Sequence, residues 1–178
     1  MIIRDIFLYF ARFVPKAVLR DVFQMKNSEE WDELKEECLS LPDDRVIPAI
    51  TSFIIGPDEE SVRKRISSAT GMYIFVDYGS ATSYIDRFDV KTDKMHIGIT
   101  CAIPTPEDTD QASLILFQDQ TLSVIKTIRD TMRADSYDHP SLEWVPMEAS
   151  TASPFMAKAL AGSTGWMLEW NAKFTDKL

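Results

Sequence analysis

The feature that most constrains the fold is a strict alternation of side-chain character near the end of the chain. One set of alternate positions is apolar: Trp166, Leu168, Trp170, Ala172 and Phe174. The positions between them are mostly polar. Because successive side chains of a β-strand point to opposite faces of a sheet, this pattern predicts a strand with one buried and one wet face. We expect this strand to be central or well covered.

Five other segments are predicted to be strands. Residues 46–55 include Pro48, which has no N–H for a ladder, so this strand is expected at an edge or with a late start. The remaining predicted strands span residues 72–78, 82–90, 94–103 and 142–147. Short linkers at 79–81 and 91–93 are typical of antiparallel hairpins.

The strongest helix signal spans residues 105–134. Thr105 is a suitable cap, and Pro106 suits the first helical position. The apolar stripe of this helix is Leu114, Phe117, Thr121, Ile125, Ile128 and Met132, and a second stripe adds Ile115 and Leu122. At roughly 40 Å, such a helix is expected to lie across the sheet and to project beyond it at one end.

Shorter helices are predicted before the sheet. Residues 3–25 have helical periodicity that Pro15 should interrupt, and a second helix follows Asn27 and ends before Pro42. The sequence therefore predicts one α+β domain, 1–178, with an N-terminal helical part (1–45) and an α+β core (46–178). Its mostly antiparallel sheet of about five to six strands packs against the long helix and the N-terminal helices.

The charge is unevenly distributed. The net charge is −9, and residues 29–60 hold eleven acids but only two bases. This region could line a lumen, form an interface or remain a solvated face. Phosphate repulsion makes direct, sequence-specific nucleic-acid binding an unfavourable function for so acidic a chain. A basic stripe, Arg4, Arg12, Lys16 and Arg20, marks a helix that either docks by its apolar face or lies on a membrane.

The sequence predicts an intracellular protein. There is no apolar run of about 18 residues to cross a membrane and no signal-peptide pattern. The two cysteines, Cys38 and Cys101, fall on apolar sides of predicted elements and are expected to be buried thiols, with a disulfide as the alternative. We expect a cytoplasmic location, or assembly into a virion-like particle.

No motif for catalysis or cofactor binding is present. The sequence lacks GxSxG, GxGxxG and GxxxxGK[ST], and its two histidines, His96 and His139, have no nucleophile or metal partner at a recognisable spacing. We therefore predict no catalytic residues, no cofactor and no metal site. Two alternatives stay open: a small binding module or regulator, and an enzyme whose site is built from dispersed side chains such as Asp77, Tyr78, Tyr84 and Asp86.

Residues 148–164 are rich in small side chains and are predicted to form a long loop, which is unusual within a compact domain. Phe155, Met156 and Leu160 are its large apolar residues. We predict that they form a partner contact, with the loop mobile in the free protein and ordered on assembly.

The order of elements resembles small phage or prophage neck and tail proteins, especially tail-terminator or tail-completion proteins. The resemblance covers about residues 70–175: an antiparallel meander, the long helix from Glu107-Asp-Thr-Asp-Gln to Ile128-Arg-Asp-Thr-Met, and the terminal strand Gly165-Trp-Met-Leu-Glu-Trp. It implies a structural subunit of a ring homo-oligomer, with a hexamer as the expected size. Such a protein binds its own copies and other tail or neck proteins and has no active site.

Overall fold

The structure, a computed structural model, describes residues 2–23, 29–85, 91–138, 142, 144–145, 150–157 and 162–175. Its helices are α1 (Ile2–Ala11), α2 (Lys16–Val22), α3 (Glu29–Ser40), α4 (Glu59–Ile66) and α5 (Gln111–Asp138). Its strands are β1 (Ser52–Gly56), β2 (Tyr73–Ile85), β3 (Lys91–Pro104), β4 (Thr151–Ala157) and β5 (Ser163–Thr175).

The strands form one five-stranded sheet in the order β1-β2-β3-β5-β4. Only β1 and β2 are parallel; the other neighbours are antiparallel, which confirms the predicted α+β class. The terminal strand β5 lies between β3 and β4, and Leu168, Trp170, Ala172 and Phe174 are buried. The alternation therefore identified an inner strand, as predicted. β1 begins late and lies at an edge, as Pro48 indicated.

The main core lies on the face of the sheet that carries Ile97, Ile99 and Trp170. The helices α1, α2 and α5 cover this face, and the ring centroids of Phe10 and Trp170 are 6.3 Å apart. A second, smaller core forms where α4 covers one corner of the opposite face. The amphipathic N-terminal segment thus docks by its apolar side. No helix among the described residues is both long and apolar enough to cross a bilayer.

The basic stripe contacts the acidic region. Arg4 pairs with Glu37 at 2.5 Å, and Lys16 pairs with Asp43 at 3.3 Å. Other acids of α3, including Asp32 and Glu36, are exposed. Part of the regional charge is therefore paired with bases of α1 and α2 at the surface, and part faces solvent unpaired with that stripe.

The predicted hairpin at residues 79–81 is wrong. β2 continues from Tyr73 to Ile85 and pairs with β3 on both sides of a register irregularity between Tyr78 and Ala81. The small residues between them accommodate a bulge, which keeps the chain in the same strand instead of reversing it. The strands predicted at 72–78 and 82–90 are one strand; residues 86–90 lie outside the described residues.

The predicted start of the long helix is also wrong. The backbone N–H and side chain of Thr105 donate to the carbonyl of Gly162, which ties this residue to the turn before β5. The first helical residue is Gln111, and Asp110 caps the helix by accepting a hydrogen bond from the Ser113 N–H at 2.9 Å. The helix then continues to Asp138, four residues beyond the predicted end at 134.

The strand predicted at 142–147 is wrong where the structure describes it. Leu142, Trp144 and Val145 lie in a turn, and Trp144 and Val145 are buried in the main core. The Trp144 carbonyl accepts a 2.9 Å hydrogen bond from the indole of Trp170. These residues are apolar because the turn is buried, and a short apolar run of this kind also fits a buried strand.

The loop predicted at 148–164 contains a strand. Residues 151–157 form β4, which pairs antiparallel with β5 from Thr151 opposite Glu169 to Ala157 opposite Ser163. Few large apolar side chains are needed here, because ladder hydrogen bonds to a central strand hold the segment. Gly162 has a φ of +63°, a conformation that glycine adopts readily, before β5 begins.

Candidate interaction surface

The helix α5 has a buried part and an exposed part. From Thr121 onward, Ile125, Ile128 and Met132 are at most 1% exposed. In the first ten residues, Ile115 is 62% and Leu116 is 60% exposed. We call these two adjacent aliphatic side chains the α5 patch. Leu114 and Phe117 are half-buried, so this end of α5 still packs by its inner side. That the helix projects beyond the sheet stays a prediction.

The sequence contains the reason for this exposure. Leu114 to Phe117 are four consecutive apolar residues, and at about 100° per residue they span about 300° of the helix circumference. A sheet covers only one side of a helix, so some of these side chains must face away from it. Leu114 and Phe117 are half-buried, whereas Ile115 and Leu116 are exposed. The predicted stripes included Ile115 and missed Leu116.

The α5 patch lies at the end of the sheet that carries β4. Gln118 donates from Nε2 to the Thr164 hydroxyl of β5 at 3.3 Å. Thr164 is opposite Met156 of β4 in the ladder. The first part of α5 therefore crosses β5 near the start of that strand, and the α5 patch is two to three residues before that contact.

The predicted interface residues are only partly described. Phe155 and Met156 belong to β4, at the register positions opposite Gly165 and Thr164, and Leu160 lies outside the described residues. At Gly165, an added Cβ would be 2.1 Å from the Cys101 carbonyl oxygen, so a glycine is needed for β3 and β5 to approach. The prediction that Phe155, Met156 and Leu160 contact a partner stays a prediction.

A polar cleft lies on the face of the sheet opposite the main core. It has a volume of about 410 Å³ and is lined by His96, Ser150, Thr151, Glu169, Trp170 and Asn171. The His96 Nε2 atom is 3.2 Å from Glu169 Oε1, and both side chains are partly exposed. This is a histidine–carboxylate pair between neighbouring strands: His96 is opposite Asn171 and Glu169 is opposite Gly98, so the two side chains are diagonal neighbours on one face of the sheet. His139 lies outside the described residues.

The dispersed residues considered for an enzyme do not share one site. Asp77 and Tyr84 are seven positions apart on β2, or roughly 23 Å at 3.3 Å per residue. Asp77 and Tyr78 are consecutive and belong to opposite faces of the sheet. Asp86 lies outside the described residues.

Both cysteines are free buried thiols, as predicted. Burial raises the pKa of Cys38 to about 11 and that of Cys101 to about 12, so neither is a thiolate near neutral pH. Among the residues that the structure describes, no group of three or more His, Cys, Asp or Glu side chains is placed to hold a metal ion.

Comparison with family models and with curated proteins found no relative of this chain. The chain matches no model of a known protein family and no curated protein.

Proposed function

We propose that this protein is a non-enzymatic assembly subunit that binds further copies of itself through the α5 patch. The observation that carries the proposal is the exposure of two adjacent aliphatic side chains, Ile115 and Leu116, on the outer side of α5. Single exposed apolar residues are common, whereas adjacent exposed apolar side chains contribute to one contiguous patch, and large patches of this kind mark contact surfaces.

Burial of Ile115 and Leu116 in a contact contributes to the free energy of association. Full burial of an aliphatic side chain contributes roughly 1.5–3 kcal/mol, so covering the exposed part of both gives about 2–4 kcal/mol. That corresponds to about 30- to 800-fold in an association constant. Exposed polar neighbours such as Asp119 and Gln120 would form the rim of this contact.

The specific form that we propose is a ring subunit of the phage or prophage tail-terminator or tail-completion type. Support comes from the order of elements: the β2–β3 hairpin precedes the long helix α5, and the inner strand β5 is the last element. A patch on one subunit that contacts a different surface of the next makes a heterologous interface, and such interfaces form a ring when the rotation between subunits closes. The subunit would occupy the cytoplasm before joining a particle.

The molar mass in solution tests this proposal. We expect the wild-type protein to have a mass that is a multiple of the 20.3 kDa chain. A variant with Ile115→Ser and Leu116→Ser should have a smaller mass and an unchanged circular-dichroism spectrum, because neither side chain belongs to the core. Light scattering coupled to size-exclusion chromatography measures the molar mass of both proteins.

Tyr137 offers a matched control at the other end of α5, since it is 74% exposed. Tyr137→Ser should leave the mass unchanged. A wild-type protein that is monomeric at all concentrations, or an α5-patch variant with the wild-type mass, contradicts the proposed function.

A further inference from the structure

The second half of β2 forms a free edge of the sheet. β1 pairs only with Tyr73–Asp77, so the rest of β2 has no neighbouring strand on its outer side among the described residues. Residues 80–85 are all exposed, and Ile85 is 69% exposed. On the inner side, Ala81 to Ile85 pair regularly with Met95 to Lys91 of β3. We call residues 81–85 the β2 edge.

The β2 edge lacks the features that usually protect an edge strand. Residues 78–85 (Tyr-Gly-Ser-Ala-Thr-Ser-Tyr-Ile) contain no charged residue and no proline. Natural edge strands are commonly protected by lysine, by proline or by a bulge. The bulge in β2 precedes Ala81, and the five residues after it are regular. At the other edge of the sheet, β4 contains Pro154.

Two contacts hold the β2 edge in a fixed conformation. The Ser83 hydroxyl donates to Asp93, a buried residue of β3. The Lys94 ammonium lies 4.8 Å from the centroid of the Tyr84 ring, within the range of a cation–π contact. Because both contacts are made to β3, they leave the outer backbone N–H and C=O groups of β2 available, and little ordering is needed before another strand binds.

We propose that the β2 edge pairs antiparallel with the β2 edge of a second copy of this chain, which joins the two sheets across a two-fold axis. Charge favours contact between two copies at this edge, because the β2 edge itself is uncharged. Two chains that each carry −9 repel, so they approach best where neither presents a charge. A two-fold contact uses the same segment on both subunits.

The residues of the β2 edge are complementary to themselves in one register. With the two-fold axis at Ser83, Tyr84 is opposite Thr82 of the second copy, and Ile85 is opposite Ala81. Pairs of an aromatic and a β-branched residue stabilise antiparallel ladders, and no like charges meet. Five paired residues form a contact at the small end of the interface range, so we expect the contact to dissociate on dilution.

Disulfide trapping tests the register. Residues directly opposite in an antiparallel pair have Cα atoms about 4.5–5.5 Å apart, which suits a disulfide. Under mild oxidation we expect Ser83→Cys to form a covalent dimer rapidly, and Ser80→Cys, exposed on the same strand but off the axis, to form it much more slowly. The native Cys38 and Cys101 are buried and should not interfere. Equal rates for the two variants overturn the proposed pairing.

Introduction of negative charges at the β2 edge complements the disulfide trapping. Ala81→Glu with Ile85→Glu places carboxylates opposite each other across the proposed axis, while position 85 remains opposite Lys91 within the subunit. Sedimentation velocity of these variants in the protein that also carries Ile115→Ser and Leu116→Ser should show that concentration-dependent dimerisation through the β2 edge is lost. Ala17→Glu with Thr70→Glu adds the same charge at exposed sites elsewhere and should retain it. Unchanged association of the Ala81/Ile85 variant overturns the proposal.

The α5-patch variant separates this inference from the proposed function. If both contacts exist, the protein with Ile115→Ser and Leu116→Ser should still form a dimer of twice 20.3 kDa through its β2 edge. If it is monomeric at high concentration, the β2 edge does not pair and this inference fails, whereas the α5 patch is upheld.

Discussion

The two parts of α5 have similar sequence patterns, but their inner sides are buried to different degrees. Leu114 and Phe117 continue the stripe of Ile125 and Ile128, yet only the later residues are fully buried. The difference arises because the later turns lie over the sheet and α1, whereas the first turns cross near the β4 edge. A helical stripe therefore predicts which side of a helix is apolar, and the rest of the fold decides how much of that side is covered.

The largest expected effect is a core truncation in the buried part. Ile128 is 0% exposed, so Ile128→Ala should lower the free energy of unfolding by about 3–4 kcal/mol through lost burial and a cavity. Leu116→Ala in the exposed part should change it by less than about 0.5 kcal/mol. Urea denaturation of dilute protein measures both, and effects within 1 kcal/mol of each other would remove the distinction.

The next effect concerns the polar anchor at the end of the buried part. Asp135 is 3% exposed, accepts a 2.8 Å hydrogen bond from the Tyr9 hydroxyl, and forms a two-point ion pair with Arg45. Removing one partner of a buried pair costs 3–5 kcal/mol; since Arg45 is partly exposed, Asp135→Ala should cost about 2–3 kcal/mol. A thermal melt in which the variant matches the wild type would show that α1 and α5 are not held by this network.

The same network gives a pH dependence. Burial of Asp135 raises the pKa of this carboxyl, but hydrogen bonds from Arg45 and Tyr9 outweigh burial and hold the pKa below its usual value. The stabilisation is therefore complete above the unfolded pKa near 4 and is lost as pH falls through the lower folded value. Denaturant midpoints measured from pH 6 to pH 2 should fall less steeply for Asp135→Asn than for the wild type; parallel curves would contradict this role.

The smallest effect lies at the boundary between the two parts. Gln118→Ala removes the 3.3 Å hydrogen bond to Thr164 and should lower the free energy of unfolding by about 0.5–1 kcal/mol. Asp119→Ala, at an exposed neighbouring position, is the matched control and should have less effect. A loss above 2 kcal/mol for Gln118→Ala would mean that the first part of α5 is anchored as firmly as the second.

The sequence predicted the elements whose signals are local. The period of two identified β5 as an inner strand, Pro15 marked the break between α1 and α2, and Pro48 indicated the late start of β1. It failed where the deciding contact is distant in the chain. Thr105 resembles a helix cap but bonds to Gly162, and residues 151–157 form a strand because β5 lies beside them. The sequence predicted the partner contact in residues 148–164 and included Ile115 only in a second helical stripe, because the exposure of Leu116 and the β2 edge depend on the sheet topology.

Side-chain footprinting of the assembled protein tests the account most directly, because it measures whether the α5 patch is covered. Hydroxyl radicals should label Ile115 and Leu116 readily at dilutions where the chain is monomeric. As concentration rises and assembly proceeds, we predict that their labelling falls several-fold while labelling of Tyr137, on the same helix, stays constant. If Ile115 and Leu116 remain labelled at the monomer rate in an assembled particle, or if no assembly forms, the α5 patch is not a subunit contact.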